Sequence, residues 1–340
     1  MDTNKIMPSF DNKRSVLGEI LPLKTPFNVI IDVSERCNFQ CQYCFRGDTD
    51  KNKWGYAKDN QLMEWDIFVK TVEQVKEFED EVRQISLSGH GEPLCNRKIP
   101  DMVRYLKEQG IQSRISIHTN ASLLDREFID DLIDSDIDRI VVSLQGMTSE
   151  KYWEVCHAKI DFETFYDNLT YLYKNKKHTQ VHIKIMDVAL DKGEEDNFYK
   201  KFLPIGDRVF IEQEVPIWKG VGLEKGRIEI ENKYGNRFPL QKCCPLIFHT
   251  ILIVPNGDVY PCTQLLREDK LGNVNEMTLA EMWKGNDRRN LLLRQCDLKN
   301  PEICEQCYIR QNSIYTKEDM IDDYRLQIQE RLLREVENGA

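Results

Sequence analysis

A chain of 340 residues exceeds what one hydrophobic core usually serves, so about two domains are expected. Its net charge of -10, from 47 Lys plus Arg against 57 Asp plus Glu, repels a phosphate backbone and makes nucleic acid an unlikely partner. Eleven cysteines, with no signal peptide and no bilayer-length apolar run, point to a cytoplasmic protein without a membrane role, whose thiols serve as ligands or catalysts.

Residues 1–25 read as an N-terminal extension. Six β-branched runs then follow at the pace of a strand-helix repeat: FNVIIDV (27–33), RQISLS (83–88), SRISIHT (113–119), DRIVVSL (138–144), VHIKIMDV (181–188) and RVFIEQ (208–213). Between them, Leu62, Trp65, Val69, Val72 and Val75, then Met102, Val103 and Leu106, then Phe128, Ile129, Leu132 and Ile133 fall at helical spacing. Strand alternating with helix predicts an α/β fold, a parallel sheet or open barrel with right-handed crossovers, over residues 26–215. Residues 216–242, rich in Gly, Lys and Glu, read as a linker. A compact cysteine-rich segment follows at 243–312, where Asn256-Gly257 signals a hairpin and Thr278 with Glu281 a helix start closed by Gly285. A charged helical tail occupies 313–340.

In the loop after the first strand stand Cys37, Cys41 and Cys44, soft thiolates suited to zinc or iron-sulfur. Loops at the carboxyl ends of parallel strands gather the chemistry. A closed zinc site or a closed cubane takes four ligands. Three cysteines therefore hold a four-iron cluster with one iron open, belong to a zinc site with a remote fourth ligand, or are incidental. Cys244, Cys262, Cys304 and Cys307 supply four thiolates, a complete set for zinc or for a cubane. Cys243 could stand in for Cys244, and Cys296 for another ligand. Cys95 and Cys156 are either small core residues or hydrogen-atom donors, the donor role being better placed at Cys95. His178 and His182 straddle the start of the fifth strand and share no helix face, so they show no metal spacing.

Cys-x3-Cys-x-aromatic-Cys, with Tyr43 as the aromatic, directly after the first of six repeated strands, resembles the radical S-adenosylmethionine superfamily, and the resemblance runs over residues 26–312. It implies a partial (β/α)6 TIM-like barrel in which Cys37, Cys41 and Cys44 hold a 4Fe-4S cluster. The open iron would bind S-adenosylmethionine, and electrons from a flavodoxin- or ferredoxin-type reductant would release a 5′-deoxyadenosyl radical. SLSGHGEPL resembles the family's Gly-Gly-Glu-Pro segment, which implies that Gly91 lets backbone approach the cofactor and Glu92 accepts from its ammonium group. HTNAS resembles Thr-Asn-Gly, keeping Asn120 and replacing the glycine by Ala121. SLQG resembles Ser-Leu-Asp-Gly, keeping Ser143 near the cofactor and replacing the acid by Gln145. Lys184 either points inward toward the cofactor carboxylate or lies on the outer face.

Cys244-x12-Gly257-x4-Cys262 resembles the entry of SPASM and twitch domains. With no cysteine after Cys307, the shorter twitch type is implied, carrying one auxiliary 4Fe-4S cluster that relays electrons. The resemblance further implies a small-molecule substrate: a carbohydrate, cyclitol or sugar nucleotide that is dehydrogenated or epimerised. One alternative is a ribosomally made peptide that is epimerised, cross-linked or given a thioether, although such enzymes often carry an extra N-terminal domain. Another is a non-enzymatic metal or electron-transfer scaffold.

Overall fold

Parallel strands form at all six β-branched runs: β1 (Asn28–Ile31), β2 (Gln84–Ser86), β3 (Arg114–Thr119), β4 (Arg139–Leu144), β5 (Gln180–Met186) and β6 (Arg208–Glu212). The computed structural model describes residues 6–7, 14–48, 60–215, 217, 221, 231–263, 269–301, 304 and 307–338. Consecutive strands are neighbours in the order β6-β5-β4-β3-β2-β1. Successive side chains of a strand point to opposite faces. Ile115 and Ile117, Ile140 and Val142, and Val181 and Ile183 therefore pack into the main core. The alternate set, including Ser116, His118, Lys184 and Glu212, faces a lumen.

Helices α1 (Leu17–Ile20), α2 (Trp65–Val75), α3 (Ile99–Glu108), α4 (Arg126–Asp134), α5 (Ser149–Cys156), α6 (Phe162–Asn175) and α7 (Glu195–Phe202) accompany these strands. Side-chain caps set several starts: Asp125, Thr148 and Asp161 accept from the backbone amides of Phe128, Lys151 and Thr164. The α2 stripe differs from its periodicity. Leu62 lies before the helix, in a bridge with Ser34, and the buried face carries Phe68, Thr71, Val72, Gln74 and Val75. Gln74 is buried because its side chain donates to the Val274 carbonyl at 2.8 Å and accepts from the Leu279 amide at 3.1 Å. A polar residue on an inward face was thus chosen by a partner some 200 positions away, beyond the reach of any local pattern.

The C-terminal segment continues the same sheet. Strand β7 (Thr250–Ile253) adds parallel to the free edge of β1, with Asn28 opposite Thr250 and Ile31 opposite Ile253. The expected hairpin then turns at Gly257, whose φ of +86° suits glycine, into antiparallel β8 (Asp258–Tyr260), followed by β9 (Gly272–Asn273). Helices α8 (Leu246–His249), α9 (Leu279–Lys284), α10 (Asn286–Cys296), α11 (Ile309–Asn312) and α12 (Arg325–Asn338) complete the described chain. The Thr278–Glu281 capping box forms at the start of α9, and Gly285 ends that helix while opening α10. A second core gathers Leu17 and Leu21 with Cys243, Phe248, Leu292, Ile321 and Leu332, so the extension before β1 and the tail after residue 313 pack on the same cysteine-rich segment. Among the described residues, no helix is long and apolar enough to cross a membrane.

Candidate active site

The loop bearing Cys37, Cys41 and Cys44 is held at three points. Phe39 is buried edge-on against Tyr152, their centroids 6.0 Å apart, and Phe45 is buried beside His90. Gln40 and Gln42 donate their amides to the carbonyls of Cys156 and Val155 at the end of α5, each at 3.0 Å. Gly47 packs so closely on the Cys41 carbonyl that a Cβ there would stand 2.4 Å from it. The loop therefore curls into a cup with its thiols close together. Burial pushes the Cys37 thiol up to about 12, with Glu92 and Cys44 adding to the effect. Cys41 is raised by its hydrogen bond with Cys156 and by burial, and Cys44 by burial. Arg46 is the positive charge near Cys37 and Cys44 and does not offset their burial; a coordinated thiol is deprotonated outright, so a bound iron centre would supply the rest. The ring of Tyr43 packs on the core and its hydroxyl is buried near Cys41.

The Gly-His-Gly-Glu segment locks onto the base of this loop. A Cβ on Gly91 would lie 2.3 Å from the Ser34 carbonyl oxygen and 2.4 Å from that of Arg36, so glycine is required by the approach of two backbones. The next amide, that of Glu92, donates to the Arg36 carbonyl at 2.7 Å. The Glu92 carboxylate is buried and accepts from the amides of Leu94 and Asn120 at 3.0 and 2.7 Å and from the Thr119 hydroxyl. Burial drives it up to about 7 against these three donors. In this structure Glu92 thus organises the ends of β2 and β3.

Asn120 donates to Asn38 at 2.9 Å, Asn38 donates to Ser122 at 2.8 Å, and the Ser122 hydroxyl donates back to Asn120 at 2.7 Å. This closed triangle ties the loop after β3 to the cysteine loop. Ala121 sits at φ +60°, a left-handed backbone that favours glycine, the residue it replaces in the Thr-Asn-Gly motif that this segment resembles. Ser143 lies near the end of β4, where its carbonyl accepts from Gln145 at 3.1 Å. Lys184 faces the lumen, 2.7 Å from Glu212. Cys95 is half-buried after Glu92, and burial raises its thiol. Cys156 is fully buried, hydrogen-bonded to Cys41 and donating to the Tyr152 carbonyl. Sequence reasoning missed Asp32, Asn38 and His90. Asn38 lies between two of the cysteines, and its position there is the one signal that could have found it.

In the second set, Cys244, Cys262, Cys304 and Cys307 surround one cavity of about 20 Å³, walled by Leu246, Ile247 and neighbours. Burial pushes Cys244 up to about 12, with Cys307 and Cys304 adding to it, as expected for sulfurs that face one another. Cys243 instead turns into the second core and hydrogen-bonds Cys296. Among the described residues, no three His, Cys, Asp or Glu side chains close on a single ion. A cubane does not require that, since its ligands sit on separate corners. The second donor set fits such a cluster, its four soft thiols enclosed around a common space, and the first fits it as three buried soft thiols close enough to act on one another.

The family model described as the Radical SAM superfamily matches residues 31–196, and that described as an iron-sulfur cluster-binding domain, SPASM, matches residues 243–308. The chain belongs to the radical SAM superfamily and carries a SPASM-type domain, with S-adenosylmethionine and 4Fe-4S clusters as its cofactors. It is 22% identical over 293 residues, 74% of this chain and 79% of the relative, to the tungsten-containing aldehyde ferredoxin oxidoreductase cofactor-modifying protein of Pyrococcus furiosus. It is 33% identical over 132 residues to a probable GTP 3′,8-cyclase of Methanococcus vannielii, covering 38% of this chain and 40% of that relative. The chain thus matches less than half the length of that cyclase. Among solved structures it shares its fold with Streptococcus suis SuiB bound to S-adenosylmethionine (TM-score 0.64, 15% identity, 91% of this chain and 79% of that one). The same holds for BtrN in complex with AdoMet and 2-DOIA (TM-score 0.54, 18% identity, 84% and 93%).

Proposed function

We propose that this enzyme removes a hydrogen atom from a carbon of a carbohydrate, cyclitol or sugar nucleotide, leading to dehydrogenation or epimerisation. The observation that carries the reading is the enclosure of Cys244, Cys262, Cys304 and Cys307 around a cavity of about 20 Å³. Four thiols there would occupy every corner of a cluster and leave no iron for substrate, which suits one-electron transfer rather than Lewis-acid catalysis. S-adenosylmethionine at the cluster of Cys37, Cys41 and Cys44 supplies the hydrogen-atom abstraction, and the protein supplies binding and orientation.

The chain's own residues have defined tasks in this reading. The lumen below the cysteine loop, lined by Ser116, His118, Lys184, Phe210 and Glu212, receives the substrate. Glu212 holds Lys184 at 2.7 Å and Lys233 at 2.8 Å, fixing two donors on the wall. Asn120, Ser143 and Gly91 frame the cofactor side, and Cys95, kept protonated by burial, can return a hydrogen atom in an epimerisation. A flavodoxin- or ferredoxin-type reductant and a cytoplasmic setting complete the reading.

Anaerobically reconstituted protein, reduced and supplied with S-adenosylmethionine, tests it. 5′-Deoxyadenosine formation that rises with a sugar or sugar nucleotide and yields an oxidised or epimerised product supports the proposal. Turnover of peptides alone would overturn it; one SuiB structure holds its precursor peptide SuiA, so that arm is a real comparison.

A further inference from the structure

The wall of the second cysteine cavity holds two hydrogen-bond donors that the protein leaves unused. Gln295, on α10, is fully buried and lines the cavity. Its Oε1 accepts from the Cys244 amide at 3.1 Å, which fixes the side chain against the cysteines. Its Nε2 is buried and makes no full hydrogen bond, yet it lies close enough to Cys304 to lower that thiol against the effect of burial. Arg310, the second residue of α11, lines the same cavity. One of its terminal nitrogens donates to the Lys242 carbonyl at 3.3 Å, while its Nε is buried without a partner. A buried polar group left unpaired costs about 1–3 kcal/mol, so two of them around one small space call for a shared acceptor.

The rest of the lining says what that acceptor is. Beyond the four cysteines it is apolar, Leu246, Ile247 and Ile309, and among the described residues it contains no acid. The backbone adds donors of the same kind: the Cys244 sulfur faces the amides of Leu246 and Ile247, and the Cys307 sulfur those of Ile309 and Arg310. Asp269, which opposes a thiolate at Cys304, is itself held by Arg294 at 2.7 Å. The cavity is thus rich in N–H groups, and sulfur is what they can reach. Hydrogen bonds to the sulfurs, net charge and exposure set the potential of an iron-sulfur cluster. Four thiolates already make a bound cubane an anion, and reduction adds one more negative charge. In an enclosed apolar setting, donors aimed at the sulfurs therefore favour the reduced state.

We propose that the Gln295 side-chain amide and the Arg310 guanidinium donate hydrogen bonds to sulfurs at the second cysteine site, stabilise its cluster in the one-electron-reduced form and so raise its reduction potential. This rests on a cluster being held there, and it deepens the relay reading. One electron leaves the substrate radical and enters the cluster, whose charge falls by one with no proton passed to or from Gln295 or Arg310. The two donors make that electron easier to accept.

The test is a potentiometric titration of the full chain, anaerobically reconstituted and followed by electron paramagnetic resonance. The reduced-cluster signal that changes when S-adenosylmethionine is added belongs to Cys37, Cys41 and Cys44, and the other reports the second site. Gln295→Leu and Arg310→Met should each lower the second midpoint potential and leave the first in place. The expected shift is about tenfold in the ratio of reduced to oxidised cluster, ~59 mV for a one-electron couple, the effect of losing one hydrogen bond to a charged group. Gln295→Glu keeps an acceptor for the Cys244 amide but replaces the donor by an anion, so it should fall at least as far, whereas Arg310→Lys, which keeps the charge, should fall less than Arg310→Met. Iron content and melting temperature are measured alongside, since a merely structural role would move those and not the potential. Without any substitution, pulsed resonance of the reduced wild type carrying arginine with the heavy nitrogen isotope in its side chain should show a nitrogen coupling on the second signal, absent in Arg310→Lys. Unshifted potentials in folded, iron-loaded variants, no such coupling, or a second site that binds zinc in place of iron would overturn the proposal. Oxidation of a sugar or sugar nucleotide is scored separately. Shifted potentials with product formation unchanged sink the relay reading and leave the donors standing, whereas unshifted potentials with product formation lost sink the donors alone.

Discussion

His90 stands between Asp32 and Thr263, one ring nitrogen 2.9 Å from the carboxylate and the other 3.0 Å from the carbonyl. Asp32 follows β1, and Thr263 follows Cys262 of the second cysteine set. One imidazole thus joins the segment beneath the first cysteine loop to the second cysteine set. His90→Phe would leave the Asp32 carboxylate, 1% exposed, with backbone donors only. Leaving a buried acceptor short of a partner costs about 1–3 kcal/mol. The variant should melt at a lower temperature than the wild type, with His90→Gln falling in between. Equal melting temperatures would show that the bridge contributes nothing.

Gly91 has no room for a methyl group. Overpacking costs about 1–3 kcal/mol, occasionally more, and here the opposing atoms are backbone carbonyls that cannot swing aside. Gly91→Ala should lose iron from the first site while keeping it at the second, as read by iron analysis and visible absorption. Full iron loading would refute the close approach of the two backbones.

Adjacent cysteines should behave differently. Cys244→Ser removes a wall of the second cysteine cavity and should lower iron content, whereas Cys243→Ser disturbs the contact with Cys296 and should leave iron unchanged. Reversed results would reassign the ligand.

The two cysteine sets should separate functionally. Cys41→Ala is expected to abolish cleavage of S-adenosylmethionine with the second site still loaded. Cys304→Ala should retain some cleavage but yield no oxidised substrate. Normal turnover by Cys304→Ala would end the electron-relay reading.

Acid should weaken the fold through the lumen. His118, whose ring is open to the lumen, is lowered from 6.5 to about 3, first by desolvation within the barrel and then by Lys184 and Lys233. The unfolded chain therefore takes up this proton at a higher pH than the folded one. The stability contribution is fully present above pH 6.5 and is lost as pH falls toward 3. Between pH 7.5 and 5.5, the melting temperature of the wild type should drop further than that of His118→Gln. Parallel declines would exclude His118 as a source.

Much of the site was legible because its chemistry is local. Cys37, Cys41 and Cys44 share one short loop, and Asn256-Gly257 with the Thr278 capping box shows in a few residues each. The six strands were legible for the same reason: period and β-branched composition act over neighbouring positions. Gln74 and His90 were not legible, since each is placed by a carbonyl more than 170 residues away.

The sequence alone determined the strand-helix repeat, both cysteine sets and the family they resemble, since each is written in short spacings. Only the tertiary structure decided that β7 extends the barrel sheet beside β1, that Cys244 rather than Cys243 faces the second cavity, that Lys184 points inward, and that Gln295 and Arg310 share the second cavity. Strand order, the side a residue turns to, and the pooling of donors depend on contacts between distant segments, which local spacing does not encode.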